Sequence, residues 1–435
     1  MPSAAKARFE IFAATAPGLE SIAAGELKSL GIRGKQEPGG VSFAGGVDEL
    51  YRANLWLRTA TRIVVRLGAF HASTFYELER RVRKLGWEDF LPSAGSVAVR
   101  ATCRKSRLYH SDAVAERVLA AIARVAPAGV SIEAVVAPAG VSIEAVGSSA
   151  KKPIDAEDLV DREDPVDAEG SADDVGDVQT VAATTASVGS RETSQLFIVR
   201  IVHDHVEISA DSSGELLHRR GYRREVAKAP LRETLAAAML LASGWQKNET
   251  LIDPLCGSGP IPIEAAMMAR KMAPGLRRAF QFARWPGFVS GRWDSILTEA
   301  REMVTDPALN ITGGDRDSGA IEAAVRNAER AGVASDIVFA TGSLSDSLAR
   351  LRESGAERAW LLMNPPYGVR VGDERELRDL YAAIGNAVVE HPGWRVGMLT
   401  ADKVLAGQLR LSLRSRFDSR NGGIPVSFLV SGKGG

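Results

Sequence analysis

The residues best suited by type to do chemistry are Asn364-Pro365-Pro366-Tyr367, followed by Gly368. Apolar Ala359-Trp360-Leu361-Leu362-Met363 runs directly into them and predicts a buried strand, which puts the tetrapeptide at that strand's carboxyl end. Open α/β sheets bind their ligands at that edge. Two prolines fix φ and lack N–H groups, so the carbonyls here stay out of a ladder and remain acceptors. An exocyclic amine on a nucleobase matches such a set. The Asn364 side-chain oxygen and the Pro365 carbonyl can each accept one amine hydrogen, drawing the nitrogen lone pair out of ring conjugation, while Tyr367 stacks on the base. The plainer reading is a rigid strand-to-loop turn with a packed tyrosine, and the motif alone leaves both open.

Context comes about a hundred residues earlier. Thr250-Leu251-Ile252-Asp253-Pro254-Leu255-Cys256-Gly257-Ser258-Gly259 reads as a short strand breaking into a glycine turn, with Pro260 opening a helix. Gly257 and Gly259 let backbone approach a ligand, and Asp253 at the strand end can receive a cationic or donor group. The spacing is neither G-x-G-x-x-G nor G-x-x-x-x-G-K-[ST], so a pyrophosphate cradle is not expected; an aminoacyl-type ligand suits the turn better. Leu309 to Asp317 predicts a second strand whose terminal Asp315 can accept from both hydroxyls of a ribose, with Asp317 as the N-cap of the helix that follows. Asp336 to Ser343 predicts a third strand, and the Asn364 strand is the fourth. Strands alternating with helices imply a parallel sheet.

Taken in this order, D-P-L-C-G-S-G, G-G-D-R-D with A-A-V-R-N-A, and M-N-P-P-Y-G resemble the class I S-adenosylmethionine-dependent methyltransferases that modify exocyclic amines. Leu217 to Arg223 and Lys228 to Ala237 resemble the segment before the first strand in bacterial THUMP-domain RNA methyltransferases, among them the large-subunit rRNA guanine-N2 enzymes and their tRNA relatives. The resemblance runs from about Leu217 to Val430. It implies that Asp253, Pro254, Cys256, Gly257 and Gly259 line the methionine end of S-adenosyl-L-methionine and that Asp315 holds its ribose. It implies that Asn364, Pro365, Pro366 and Tyr367 hold the target base. Many relatives end the third strand in an Asp that takes the adenine amine, and Ser343 stands at the matching place here, with Asp346 beyond it. The implied activity is methylation of a guanosine N2 in large-subunit rRNA, with tRNA second. Adenine N6 or cytosine N4 is the alternative amine, and a non-catalytic RNA-binding assembly factor the alternative class.

In the N-terminal half, Gly95 to Cys103 alternates like a strand and leads into Arg104, Lys105, Arg107, Tyr109 and His110, with Ser111 and Asp112 expected to cap a helix from Ala113 to Arg124. Cations beside aromatics at such a turn, with Arg100 on the strand, suit an RNA backbone or equally a solvated basic turn. R-A-T-C-R-K-S-R-L-Y-H-S-D resembles the core of a THUMP domain, which implies RNA binding. Phe9 to Ala13 and Gly40 to Phe43 frame a helix from Leu19 to Leu30, a small α+β unit. Arg52, Arg58, Arg62 and Arg66 add charge that reads either as part of a basic surface or as a solvated helix face. The expected division is a ferredoxin-like unit over 1–70, a THUMP region over 71–210 and a Rossmann-like α/β methyltransferase domain over 211–435. Within the THUMP region, 126–195 is expected to be a mostly disordered insertion, because its acidic stretch has no aromatic residue and its tail few core formers; the unchanged eleven-residue tandem duplication (Val125–Val135, Val136–Val146) is too short for a solenoid and reads as a tolerated expansion.

The formal charge is zero, from 54 basic and 54 acidic residues, but residues 150–180 hold eleven acids against three bases. The remainder therefore carries plus eight, which suits a phosphate backbone. Two cysteines exclude a disulfide framework or a thiolate zinc site, and no H-x-x-x-H or H-E-x-x-H spacing supports a metal. With no apolar run of eighteen and no signal peptide, a cytoplasmic protein without a membrane segment is expected.

Overall fold

The computed structural model describes residues 8–132, 194–224, 231–366 and 374–432. The first sheet is built from β1 (Phe9–Thr15), β2 (Lys35–Glu37), β3 (Gly40–Gly45), β4 (Ala60–His71), β5 (Gly95–Arg104), β6 (Val130–Ile132), β7 (Ser194–Val202) and β8 (His205–Asp211). Their order is β2-β3-β1-β4-β8-β7-β5-β6. Helices α1 (Glu20–Ser29), α2 (Val47–Trp56), α3 (Phe75–Val82) and α4 (Ser111–Ile122) accompany it. The expected boundary at 70/71 falls inside β4, which pairs with β1 and with β8, so one sheet runs through both expected N-terminal units. The expected insertion is narrower than 126–195: β6 pairs with β5 through Val97↔Ile132, and β7 starts at Ser194, paired with Ser96. The rest of it, 133–193, lies outside the described residues.

The second sheet consists of β9 (Thr250–Asp253), β10 (Ile311–Asp315), β11 (Ile337–Thr341), β12 (Ala359–Met363), β13 (Trp394–Thr400), β14 (Leu413–Asn421) and β15 (Ile424–Ser431), in the order β11-β10-β9-β12-β13-β15-β14. The pairings among β9 to β13 are parallel, as expected, and β15 pairs antiparallel with both β13 and β14. The strand order reverses beside β9, the switch point where doubly wound sheets open a crevice. Helices α5 (Glu233–Ser243), α6 (Pro260–Ala269), α7 (Ser290–Glu302), α8 (Ser318–Ala331), α9 (Leu344–Glu353), α10 (Glu374–Glu390) and α11 (Lys403–Ala406) complete the domain. One apolar cluster joins α5, α6 and α8 to one face of this sheet; another joins α9 and α10 to the opposite face.

The segment between α6 and β10 clasps the first sheet. Tyr51 stacks on Phe282 at 4.5 Å between centroids, Trp285 Nε1 donates to Gln195 Oε1 at 2.7 Å, and Arg292 holds Asp48 through two bonds of 2.6 Å. A second junction centres on Glu264 of α6, which is fully buried. It faces Arg58, in the bend between α2 and β4, at 3.4 Å, Arg220 at 3.3 Å and the Tyr222 hydroxyl at 3.3 Å. The arginines at 52, 58, 62 and 66 are therefore neither a basic surface nor a solvated helix face. Arg58 and Arg62 are buried against Glu264 and Asp211, Arg66 meets Glu10, Glu37 and Glu207, and Arg52 meets Glu299. Cations taken out of water need such partners.

Candidate active site

Three neighbouring strand ends bring the predicted residues to one edge. Asp253 ends β9, Asp315 ends β10 and Asn364 follows β12, with β9 between the other two. Adjacent strand axes lie roughly 4.8 Å apart. By the parallel registers Gly313↔Asp253 and Leu361↔Ile252, Asp315 and Asn364 stand level with each other, two residues beyond Asp253 at the same carboxyl edge.

The turn after β9 has the shape its glycines predict. Gly257 has φ +51° and Gly259 φ +84°, and Gly259 is the left-handed N-cap from which Pro260 starts α6. A Cβ at Gly259 would stand 3.0 Å from the Ala324 side chain and 3.3 Å from Phe339, so the turn is pressed against α8 and β11. The Gly259 N–H donates to the Cys256 carbonyl at 2.8 Å, the Cys256 N–H to the Gly314 carbonyl at 2.8 Å, and Asn327 Nδ2 to the Ser258 carbonyl at 3.1 Å. These bonds fix the turn before any ligand arrives.

Asp253 is 2 % exposed, and its Oδ1 accepts from the Leu255 N–H at 3.1 Å. Burial pushes its carboxyl well above the ordinary range; the Leu255 amide opposes the shift and the Asp315 charge adds to it. A cationic group placed here would restore the ionised form. The buried Cys256 thiol is pushed up by burial and by the same two carboxylates, so it stays neutral and is no nucleophile. Asp315 Oδ2 accepts from the Gly257 N–H at 2.9 Å and Oδ1 from the Asp317 N–H at 3.0 Å. One acceptor position per oxygen remains for a vicinal diol. Asp317 caps α8 as expected, accepting from the Gly319 and Ala320 N–H groups.

Ser343 is placed differently from a simple strand end. It is the N-cap of α9: its hydroxyl accepts from the Asp346 N–H at 3.2 Å and donates to Asp346 Oδ2 at 2.8 Å. Asn364 is half-buried, Pro365 buried and Pro366 exposed; Tyr367 lies outside the described residues, as do Lys228 to Pro230.

The predicted cations belong to the first sheet and are not brought to this edge. Arg100 is half-buried on β5, while Arg104, Lys105, Arg107 and Tyr109 are exposed. Asp204 pins their loop by accepting from Ser106 Oγ at 2.6 Å and the Arg107 N–H at 2.7 Å, and the Ser106 bond leads in holding its carboxyl below the ordinary range. Helix α4 starts at Ser111 with His110 as N-cap and no side-chain cap, so Ser111 and Asp112 do not cap it. Asp112 lies inside the first turn, where a negative charge meets the helix dipole.

Sequence reasoning missed the Glu264 junction and the aromatic clasp. The clasp had a signal: Phe280, Phe282, Trp285 and Phe288 crowd nine residues of a chain that is 6 % aromatic. Glu264 had none, since its partners are distant in sequence. Among the described residues no group of three or more His, Cys, Asp or Glu could hold a metal, and no helix is long and apolar enough to cross a membrane.

Comparison with known proteins places this geometry. Residues 220–428 match the model of the RMKL-like methyltransferase domain, and residues 10–64 that of the RlmL ferredoxin-like domain. A putative RNA methyltransferase of Synechocystis sp. is 31% identical over 96% of this chain and 95% of its own. The ribosomal RNA large subunit methyltransferase K/L of Syntrophotalea carbinolica is 33% identical over 96% of this chain; the chain spans only 53% of that relative's length. The crystal structure of SMU.472, a putative methyltransferase complexed with SAH, superposes with a TM-score of 0.78 at 26% identity, covering 99% of both chains. The chain belongs to the RMKL-like methyltransferase family.

Proposed function

We propose that this protein is an S-adenosyl-L-methionine-dependent RNA methyltransferase that methylates the N2 amine of a guanosine, in large-subunit rRNA. The observation that carries the reading is the placement of Asp253, Asp315 and Asn364 at the carboxyl ends of three adjacent parallel strands, at the switch point. The donor set fits the cofactor. Asp253, buried with one recorded backbone donor, suits the ammonium of the aminoacyl end. Asp315, steadied by Gly257, suits the ribose hydroxyls, and the glycine turn leaves backbone open to close approach. When bound, the cofactor supplies a sulfonium methyl that is already activated.

The chain's own contribution is alignment and amine polarisation. Asn364 and the Pro365 carbonyl accept the two amine hydrogens and keep the lone pair available. Tyr367 holds the base by stacking after it has been turned out of the RNA. With the cofactor bound, the amine so held would take the methyl carbon as the carbon–sulfur bond breaks, and an amine proton would leave to solvent. The names of the relatives support an RNA substrate. The THUMP resemblance and the exposed Arg104, Lys105 and Arg107 support an RNA-holding role for the first sheet.

The test is Asn364→Ala in the full chain. Methyl transfer should fall on the order of a hundredfold or more, while S-adenosylhomocysteine binds as in wild type by calorimetry. Activity within a few-fold of wild type would sink the assignment. Nucleoside mass spectrometry of rRNA and tRNA from a deletion strain identifies the substrate; loss of a methylated adenine or cytosine would overturn the guanine-N2 reading.

A further inference from the structure

We propose that the groove between the β14–β15 hairpin and the turn after β1 holds an RNA nucleotide near the target base, with Lys403 and Arg420 on its phosphate and Val404 and Pro425 against its base or sugar. The inference rests on the RNA reading above and gives that substrate a contact on the methyltransferase domain itself. The groove measures about 690 Å³, enough for a ligand of nucleotide size. Pro17 lines it from the turn after β1, and the end of β13, the start of α11, β14 and β15 supply the other walls. The turn that carries Pro17 is pressed onto β14: a Cβ at Gly18, where φ is +82°, would stand 2.0 Å from the Asp418 carbonyl oxygen.

The groove opens at the edge that carries Asn364. Met363 pairs with Met398, Thr400 with Ser427 and Ser427 with Asp418, so Thr400, Ser427 and Asp418 share a row one residue beyond the level of Asn364. With β13 and β15 between β12 and β14, the groove lies roughly 5–14 Å to the side of the Asn364 strand. The hairpin turns at Gly422 and Gly423, both at positive φ, and its Arg420↔Pro425 pair stands two residues beyond that row. An RNA held on the first sheet, with one base turned in beside Asn364, has to cross the junction of the two sheets at this edge. Charge suits it: residues 401–432 hold five basic residues against two acidic ones. Both acids are engaged. Asp402 Oδ1 caps α11, accepting from the Val404 and Leu405 N–H groups at 2.8 and 2.9 Å, and Asp418 Oδ1 accepts from Ser427 Oγ and from Lys403 Nζ at 3.1 Å. The Lys403–Asp418 pair is exposed, hence weak, and takes one of the ammonium's three donors, so a phosphate can share Lys403. Arg420 Nη1 donates to the Gly423 carbonyl at 3.2 Å, which holds the guanidinium at the hairpin tip. Val404, 84% exposed, sets a bare apolar surface beside these cations. Charge on an edge strand also keeps it from pairing with other chains, a purpose that neither Lys403 nor Val404, both on α11, serves.

The test is methyl transfer by the full chain to total RNA from a deletion strain, at saturating S-adenosyl-L-methionine. Lys403→Ala with Arg420→Ala should raise the apparent KM for RNA roughly tenfold or more and flatten its salt dependence by roughly 0.7 per lost phosphate contact. Val404→Glu, at a position too exposed to disturb folding, should raise KM to a similar extent by setting a carboxylate against the RNA. In both, kcat at saturating RNA and S-adenosylhomocysteine affinity by calorimetry should stay within about twofold of wild type, which a general loss of structure would not allow. Val389→Glu, equally exposed but at the far end of α10, should leave KM unchanged. An unchanged KM in either groove variant, or an equal rise in Val389→Glu, overturns the groove while leaving the RNA reading intact. A wild type that transfers no methyl group to this RNA overturns both.

Discussion

Glu264→Gln probes how the two sheets are joined. The side chain is fully buried on α6, facing Arg58 and Arg220, whose side chains are 9% and 1% exposed. Glutamine keeps the volume and removes the charge, leaving two buried guanidinium groups without their carboxylate. Arg58 already has its pKa lowered by burial, with Glu264 the main opposing influence. Removing one member of a buried pair costs about 3–5 kcal/mol, a large part of a total stability of about 5–15 kcal/mol. Arg58→Met should cost less, about 1–3 kcal/mol, because Glu264 keeps Arg220 and Tyr222. Combining the two removes a stranded cation, so the double variant should be more stable than the sum predicts by about 1–3 kcal/mol. Urea unfolding of the four proteins, followed by circular dichroism, measures the cycle. A Glu264→Gln protein within about 0.5 kcal/mol of wild type, or strict additivity, would show that the junction is not held by this charge cluster.

Two further outcomes follow from the site and from the cationic loop. Asp253 has a carboxyl raised above 3.8 on folding, so its ionisation destabilises the ligand-free protein: the penalty is absent below that value and grows as pH rises to the folded pKa. Asp253→Asn should raise the ligand-free melting temperature at neutral pH and abolish S-adenosylhomocysteine binding; a lower melting temperature would contradict the burial argument. Arg104→Ala with Lys105→Ala should weaken RNA binding across sequences and reduce the slope of log affinity against log salt by roughly 0.7–0.9 per lost phosphate contact. Wild-type affinity and slope in a two-salt titration would make that loop a solvated turn.

The site was legible in the sequence where its determinants are local. Gly259 followed by Pro260 dictates a left-handed cap and a helix start, Asp317 caps the next helix through Gly319 and Ala320, and the apolar run to Met363 forms the strand that presents Asn364. Each needs only a few neighbouring residues. Arg52, Arg58, Arg62 and Arg66 were illegible for the opposite reason. Their charges look alike along the chain, and what separates buried ion pairs from a basic surface is Glu264, Asp211, Glu207 and Glu299, many residues away. Ser343 falls between these cases: its cap partner Asp346 is local, but the sequence alone left open whether the hydroxyl is committed to that partner.

Helix α6 links the two kinds of determinant. Its first turn begins at Gly259, so its backbone sets where the Gly257 N–H points, and that N–H holds Asp315 at 2.9 Å. Glu264 lies little more than one turn further along the same helix and binds Arg58, in the bend that leads into β4 of the first sheet. A rigid helix cannot shift at one end alone. Whatever fixes Arg58 therefore helps to fix the cofactor turn, and the first sheet contributes to the site geometry without placing a side chain at the strand ends that carry Asp253, Asp315 and Asn364. This gives a physical reason for the fully buried charge. An apolar pair could join the sheets as firmly, but a carboxylate with three directional donors, Arg58, Arg220 and Tyr222, sets the rotation of α6 as well as its distance.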